Sequence, residues 1–304
     1  MIFIEEGIFS KEQITLLKND YLQRNNKYKN FDYFIVGHKT KLSEDFFHNL
    51  NSEKSIILSL TTGITHIDSG VWNNPNRRIE TLKNPIFKEF LESTHATAEL
   101  ALYHIYALLR GISQIKSTSS IHEYLENRPK GRELSVLSCG IIGNGRIGSR
   151  ISSYLSGMCS QLFSYDLVDI SKKVCNTIIV NSIEELVKNS DLIILSANYQ
   201  IGSPPVLDKE FFKAINKPKY IVNISRGELI DFNELEYAIL SGKVIGYATD
   251  VFAQENSNNI RDYDRLIKMQ LSSYNISLTP HIGGNTEDAH NKLFLIANKF
   301  LDNF

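Results

Sequence analysis

Three side chains in the second half of the chain form a set that can do chemistry together. They are Arg226 in NISRGELID, Glu255 in ATDVFAQE and His281 in LTPHIGG. Each lies beyond an apolar, β-like run, at residues 219–224, 244–251 and 276–279. Arginine offers a planar fork suited to a carboxylate. Histidine gives or takes a proton near neutral pH. A glutamate beside it orients the ring and raises its pKa, keeping it protonated as a general acid. Singly, each has a plainer reading: an ion-pair residue at a helix cap, a solvated loop acid, a turn histidine. Together, past successive strands, they suit reduction of a 2-oxo acid. Arg226 binds the carboxylate and polarises the carbonyl, and His281 protonates the oxygen.

Such a reduction needs a hydride donor, and residues 140–148, GIIGNGRIG, suit one. An apolar strand runs into Gly143, Gly145 and Gly148, and a helix is predicted from Arg146 to about Ser156. The first glycine allows the tight turn, the second lets backbone approach a pyrophosphate, and the third lets helix and strand pack closely. The helix N-terminus then holds the phosphate charge. Asp166 stands eighteen residues after Gly148, at the end of the predicted strand 161–165, where an acid binds the adenosine ribose. Its neighbours Leu167 and Val168 are not basic, and a carboxylate repels the extra phosphate of NADP, so NAD is the expected cofactor.

The elements around these residues alternate. In the first ninety or so residues, strands are predicted at MIFIEE, 33–37, 55–60 and 78–82. Helices follow Ser10, Ser43 and Pro85, the first paired with Gln13 as a capping box and running to about Asn25. From Leu134 the alternation resumes. A strand opens there, and others are read at 161–165, 191–197, 219–224, 244–251 and 276–279. Capping pairs Ser182 with Glu185 and Asp231 with Glu234 start helices, and a last helix spans about 286–300. Repeated β-α alternation predicts doubly wound parallel sheets covered on both faces, with ligands at the carboxyl ends of strands. TTGITHID at 61–68 lies at such an end, and the glycine there can offer backbone N–H groups to an anion.

Residues 94–110, THATAELALYHIYALLR, form a helix apolar almost all round, to be buried on most sides or clasped at an interface. The polar, irregular stretch 111–132 that follows, with a short helix near 121–127, carries the clearest boundary signal.

At 304 residues two domains are expected. The composition is that of an ordinary soluble protein, and a net charge of −1 makes no electrostatic case for nucleic acid or a membrane surface. Cys139, Cys159 and Cys175 read as reduced thiols of a cytoplasmic protein, with Cys139 in a strand core. The acidic start MIFIEEG is unlike a signal peptide, and no apolar run is long enough to span a bilayer. Apart from His281, the histidines show no metal-ligand spacing. His104 reads as a satisfied helix residue.

The motifs at 61–68, 94–102, 140–148, 223–231, 248–255 and 278–284, in that order, resemble those of the D-isomer-specific 2-hydroxyacid dehydrogenases over nearly the whole chain. The resemblance implies a flavodoxin-like substrate domain, 1–93 plus 286–304, and a Rossmann NAD-binding domain, 94–285. It also implies a homodimer joined through the second domain by the 94–110 helix, and no appended regulatory domain. It makes Arg226, Glu255 and His281 the catalytic set. Thr62, Gly63 and Arg226 would take the substrate, a small 2-oxo or 2-hydroxy acid. Gly143, Gly145, Arg146, Ile147, Gly148, Asp166, Ser225 and Asp250 would contact NAD, Asp250 near the nicotinamide carboxamide. His66 is structural or pocket-lining.

Two segments depart from the family. Ser196-Ala197-Asn198-Tyr199 replaces a usual His-x-Pro. Residues 72–78, WNNPNRR, replace a more usual run near the expected mouth of the cleft; their two arginines read as solvated surface, with contact to an acidic substrate as the alternative. Other readings are a non-catalytic NAD(H)-binding redox sensor on this fold, and a formate- or phosphonate-type dehydrogenase. The intact catalytic set speaks against the first. Glu255 speaks against a formate enzyme, which would carry glutamine there.

Overall fold

The computed structural model of the chain describes residues 1–304 other than 24–30, 65, 116–119, 169–175, 256–260 and 304. The chain divides into two compact units, Met1–Thr94 with Asn285–Phe304, and His95–Gly284. The reading of Cys175 and the end of the first predicted helix lie outside the described residues.

The first unit is a four-stranded parallel sheet in the order β1-β2-β3-β4: β1 (Ile2–Ile4), β2 (Asp32–Val36), β3 (Ser55–Ser59) and β4 (Arg77–Thr81). Its helices are α1 (Lys11–Gln23), α2 (Glu44–Asn49), α3 (Ser69–Trp72) and α4 (Lys88–Glu92). The central strands are near-continuous apolar runs because both faces are covered. Side chains alternate between the faces. Tyr33, Ile35, Ile56 and Leu58 join Leu17, Phe87 and Phe300 in one cluster, while Phe34, Val36 and Ile57 pack with Phe47 and Val71 on the other face. The capping residues act as expected: the Ser10 amide donates to Gln13 Oε1 and the Gln13 amide to Ser10 Oγ, and Ser43 Oγ receives the Phe46 amide.

The second unit opens with α5 (Ala96–Arg110), α6 (Ile121–Glu126), β5 (Ser138–Ile142), α7 (Arg146–Leu155), β6 (Gln161–Tyr165) and β7 (Ile178–Ile179). It continues through α8 (Ile183–Asn189), β8 (Leu192–Leu195), α9 (Lys209–Lys213), β9 (Lys219–Asn223), α10 (Phe232–Leu240), β10 (Val244–Thr249), α11 (Arg261–Leu271) and β11 (Ile276–Leu278). The sheet is parallel, in the order β11-β10-β9-β8-β5-β6-β7. The chain moves outward from β5 to β7, then returns to β5's other side with β8. This reversal opens a crevice at the carboxyl ends of β5 and β8, where such folds bind ligands. The last helix, α12 (Glu287–Asn303), belongs to the first unit and packs on α1 and α4.

Several sequence expectations are corrected. The strand expected from Leu134 begins at Ser138, because residues 134–136 form a 3-10 turn closed by the Leu137 amide on Leu134 O. Helix α5 is not buried all round. Ala98, Ala101, His104, Ile105 and Leu108 face inward, whereas Tyr103 and Tyr106 are 53% and 41% exposed. The stretch 111–132 is not a boundary. Gln114 Nε2 donates to Ser273 O and the Arg132 amide to Leu109 O, tying it to the second unit. β7, α9 and α11 had no sequence signal strong enough to predict them. Their few apolar residues lie among charged or polar ones.

Candidate active site

Arg226, Glu255 and His281 all follow carboxyl ends of neighbouring strands of the second unit, β9, β10 and β11. The loops after β9 and β10 are built by their own short-range bonds. After β9, the fully buried Asn223 turns the chain. Its Oδ1 receives the Ser225 amide at 3.0 Å and its Nδ2 donates to Arg226 O at 2.9 Å. After β10, Thr249 Oγ1 accepts the Val251 amide at 3.1 Å and donates to Val251 O at 2.7 Å. Glu255 Oε1 then receives the Phe252 amide at 2.6 Å, folding the glutamate back over the strand end.

Glycine joins the first two loops. A Cβ on Gly227 would fall 2.0 Å from the Ala253 nitrogen, so only a residue without one allows this approach. A second tie is the Gln254 amide donating to Glu228 Oε1 at 3.1 Å. Spacing along the sequence did not reveal Asn223 or Gly227.

After β11 the backbone turns through His281 with φ of +53°, a left-handed conformation uncommon for residues other than glycine. Asp250, 2% exposed, receives the Thr279 hydroxyl at 2.6 Å and the Ile282 amide at 2.8 Å on Oδ1. Its Oδ2 receives the Gly283 amide at 2.7 Å. These donors bracket His281 and over-determine its strained backbone, as functional outliers commonly require. The assembled turn places His281 Nδ1 2.5 Å from Glu255 Oε2, both groups being partly exposed.

Burial drives the Glu255 carboxyl upward, but the His281 hydrogen bond and charge, the Phe252 amide and the Arg226 guanidinium outweigh it and hold the carboxyl below the usual glutamate range. The three sequence-selected residues therefore form one electrostatic group. Burial pushes Asp250 the other way, above the usual aspartate range, against its three donors.

The Gly-rich loop lies at the switch point. Gly143 has φ of +88°, and a Cβ there would sit 2.4 Å from the Ala197 nitrogen. A Cβ on Gly148 would fall 2.1 Å from Gly143 O. Ser196 Oγ donates to Gly143 O at 2.6 Å, and Ser225 Oγ donates to Ala197 O. The unusual Ser196-Ala197 pair thus braces the loop. Nothing lies within 4 Å of a Cβ built on Gly145, which N-caps α7 with no side-chain cap. Arg146 and Ile147 open that helix. Asp166, at the end of β6, accepts the Asn144 amide at 2.6 Å on Oδ2 and the Val168 amide at 3.2 Å on Oδ1. It stands beside the loop, as its spacing suggests.

In the first unit, Thr62 and Gly63 follow the carboxyl end of β3. His66, 2% exposed, lies 3.0 Å from Ser59 Oγ, which lies 2.9 Å from Thr61 Oγ1. Thr61 in turn donates to Gly63 O at 2.6 Å, so His66 is tied to the loop from behind. Of the two arginines read as solvated surface, Arg78 is exposed and Arg77 is buried. Both sit at the amino end of β4, the opposite sheet edge from Thr62 and Gly63. Arg77 is buried over the Phe47 ring, 4.1 Å from its centroid, and bonds Ser55 and Glu44, while Arg78 pairs with Glu80.

The profile of the D-isomer specific 2-hydroxyacid dehydrogenase, NAD binding domain, matches residues 102–283, more than half of the chain. The chain belongs to this family. It is 25% identical to a D-specific alpha-keto acid dehydrogenase of Enterococcus faecium, covering 90% of this chain and 84% of that one. It is 28% identical to the D-3-phosphoglycerate dehydrogenase of Haemophilus influenzae, over 71% of this chain and 52% of the relative. The chain thus spans about half the length of several curated relatives that it matches. Among solved structures, it resembles a D-lactate dehydrogenase from Aquifex aeolicus complexed with NAD and lactic acid. The TM-score is 0.77, with 21% identity and coverage of 99% and 94% of the two chains. A D-2-hydroxyisocaproate dehydrogenase matches at 0.77 and 20% identity, covering 100% and 96%.

NAD is the cofactor of the matched domain. The loop fits it, with an open cradle at Gly145, an uncapped helix N-terminus at α7 and an acid on the neighbouring strand. Among the described residues, no helix is long and apolar enough to cross a membrane.

Proposed function

We propose that this protein is an NAD-dependent oxidoreductase interconverting a 2-oxo acid and a D-2-hydroxy acid. The observation that carries the reading is the His281–Glu255 pair, closed at 2.5 Å beside Arg226. Glu255 is held ionised and engages His281 Nδ1, and Nε2 is the nitrogen assigned to the substrate in this reading. That nitrogen gives its proton to the carbonyl oxygen during reduction and takes it back from the hydroxyl during oxidation. Arg226 binds the carboxylate and polarises the carbonyl through its planar fork. Thr62 and Gly63 of the first unit are the other residues proposed to contact the substrate. Bound NADH supplies the hydride. Arg146, Ile147 and the three loop glycines would hold the pyrophosphate, Asp166 the ribose and Asp250 the nicotinamide end, with Ser225 as a further cofactor contact.

The same reading makes the protein a cytoplasmic homodimer joined through the second unit. Exposed Tyr103 and Tyr106 of α5, followed by half-exposed Ile112, support that face. Light scattering before and after Tyr103→Glu with Tyr106→Glu tests it, and an unchanged particle mass overturns it.

The deciding assay follows oxidation of NADH and, in parallel, NADPH, with small, acidic, aromatic and sugar-derived 2-oxo acids. NADH oxidation with at least one of them is expected. NADH binding without oxidation across the whole panel would instead support the non-catalytic, redox-sensing reading.

A further inference from the structure

Helix α5 sends two polar side chains inward to the turn that carries His281. Thr97 Oγ1 donates to Gly283 O at 3.0 Å. His104, on the same helix, is fully buried, with Nδ1 3.1 Å from Ser277 Oγ and Nε2 2.9 Å from Thr279 Oγ1. Thr279 Oγ1 also donates to Asp250 Oδ1 at 2.6 Å, and Asp250 receives the Ile282 and Gly283 amides on either side of the turn.

Hydrogen counting fixes the direction of this chain. A carboxylate holding three donors can only accept, so the single Thr279 hydrogen goes to Asp250. Towards His104, Thr279 can then only accept. His104 Nε2 therefore carries the ring proton, and Nδ1 accepts from the Ser277 hydroxyl. Burial holds this imidazole neutral, lowering its pKa to about 4. The result is one donor relay, Ser277 to His104 to Thr279 to Asp250, ending on the group that holds His281 at φ of +53°.

We infer that His104 is a positioning residue for the catalytic turn, fixing the Thr279 hydroxyl on Asp250 and, through it, the His281 backbone. The inference rests on His281 being the acid–base residue. A satisfied core histidine would only add stability. A positioning residue additionally sets where the His281 ring points, and hence turnover rather than binding.

The test compares His104→Leu, His104→Gln, Thr279→Val and the His104→Leu/Thr279→Val double variant in the full chain, with the 2-oxo acid that supports NADH oxidation. His104→Leu and Thr279→Val should each lower kcat about tenfold or more, while KM for the 2-oxo acid and NADH affinity stay within about twofold. His104→Gln keeps a donor and an acceptor and should recover most of the loss. The double variant should be no worse than the worse single one, because both cut one relay. The inference is overturned if His104→Leu folds with unchanged kcat. It is equally overturned if losses in the double variant add, or if kcat follows melting temperature alone across the set. His281→Ala separates the two claims. If that variant retains full turnover, the acid–base reading fails. If it is inactive and His104→Leu is not impaired, only the positioning role fails.

Discussion

Gly227 and Ala253 meet backbone to backbone, closer than any residue with a Cβ would allow. The loops after β9 and β10 therefore interlock, and Arg226 and Glu255 share one electrostatic environment because of it. Gly227→Ala should push these loops apart. The expected result is a fall in kcat/KM of about 10²-fold, the usual cost of ångström-scale misplacement. A stability loss of about 1–3 kcal/mol should accompany it. Steady-state kinetics and urea unfolding check both, and wild-type kinetics would refute the interlock.

His281→Ala should lower turnover by about 10²–10⁴, the usual worth of one acid–base group. Glu255→Gln should also impair turnover, because it removes the ionised partner of His281 Nδ1. The Glu255 carboxyl lies below its ordinary value in the folded chain. Its contribution to stability is thus present above the ordinary glutamate range and lost as pH falls through the folded value. Acid unfolding of Glu255→Gln should lack that component. Identical acid transitions would remove the pair from the stability argument.

Asp166 accepts the Asn144 amide of the Gly-rich loop and faces the ribose in the proposed complex. Asp166→Ala should raise the NADPH-to-NADH ratio of kcat/KM by roughly tenfold, because a carboxylate repels the additional phosphate. An unchanged ratio would show that another residue selects the cofactor.

Lys219 is fully buried at the amino end of β9, its Nζ donating to Ser190 O at 2.5 Å. Burial and neighbouring Lys217 lower its pKa to about 8, against the pull of Asp191. Between pH 8 and the ordinary lysine value of 10.5, the unfolded chain holds more protons, so stability rises with pH. Lys219→Met should remove up to about 3 kcal/mol of that rise. Urea midpoints at both ends of this window measure it, and parallel slopes for the two proteins would contradict it.

Arg77 is enclosed by Phe47, Ser55 and Glu44 at the sheet edge opposite Thr62 and Gly63. Arg77→Leu should cost about 1–3 kcal/mol of stability and leave KM for the 2-oxo acid within about twofold. A selective rise in KM would return this arginine to the substrate.

The strands β6 and β9 and the capped helices α2, α8 and α10 were legible because local chemistry decides them. Apolar runs, Ser or Asp caps and glycine turns act over a few residues. β7, a two-residue edge strand, exists only because β6 offers it a ladder. The sequence left the outward stripe of α5 open between burial and an interface, because tyrosine is equally at home buried or half-exposed. WNNPNRR was misplaced because sequence gives the order of segments but not which sheet edge each one reaches.

By itself, the sequence determined the residue types and their order: the Gly-rich turn, the acid after β6, and Arg226, Glu255 and His281 beyond successive strands. Each is a short-range fact. Only tertiary structure decided that parallel pairing of β9, β10 and β11 brings those three loops together. It also decided that Gly227 permits the contact, and that Asp250 holds His281 in a left-handed backbone. His104 lies more than 170 residues from its partners Ser277 and Thr279. No local periodicity distinguishes it from a core residue, since its role arises from packing between distant segments.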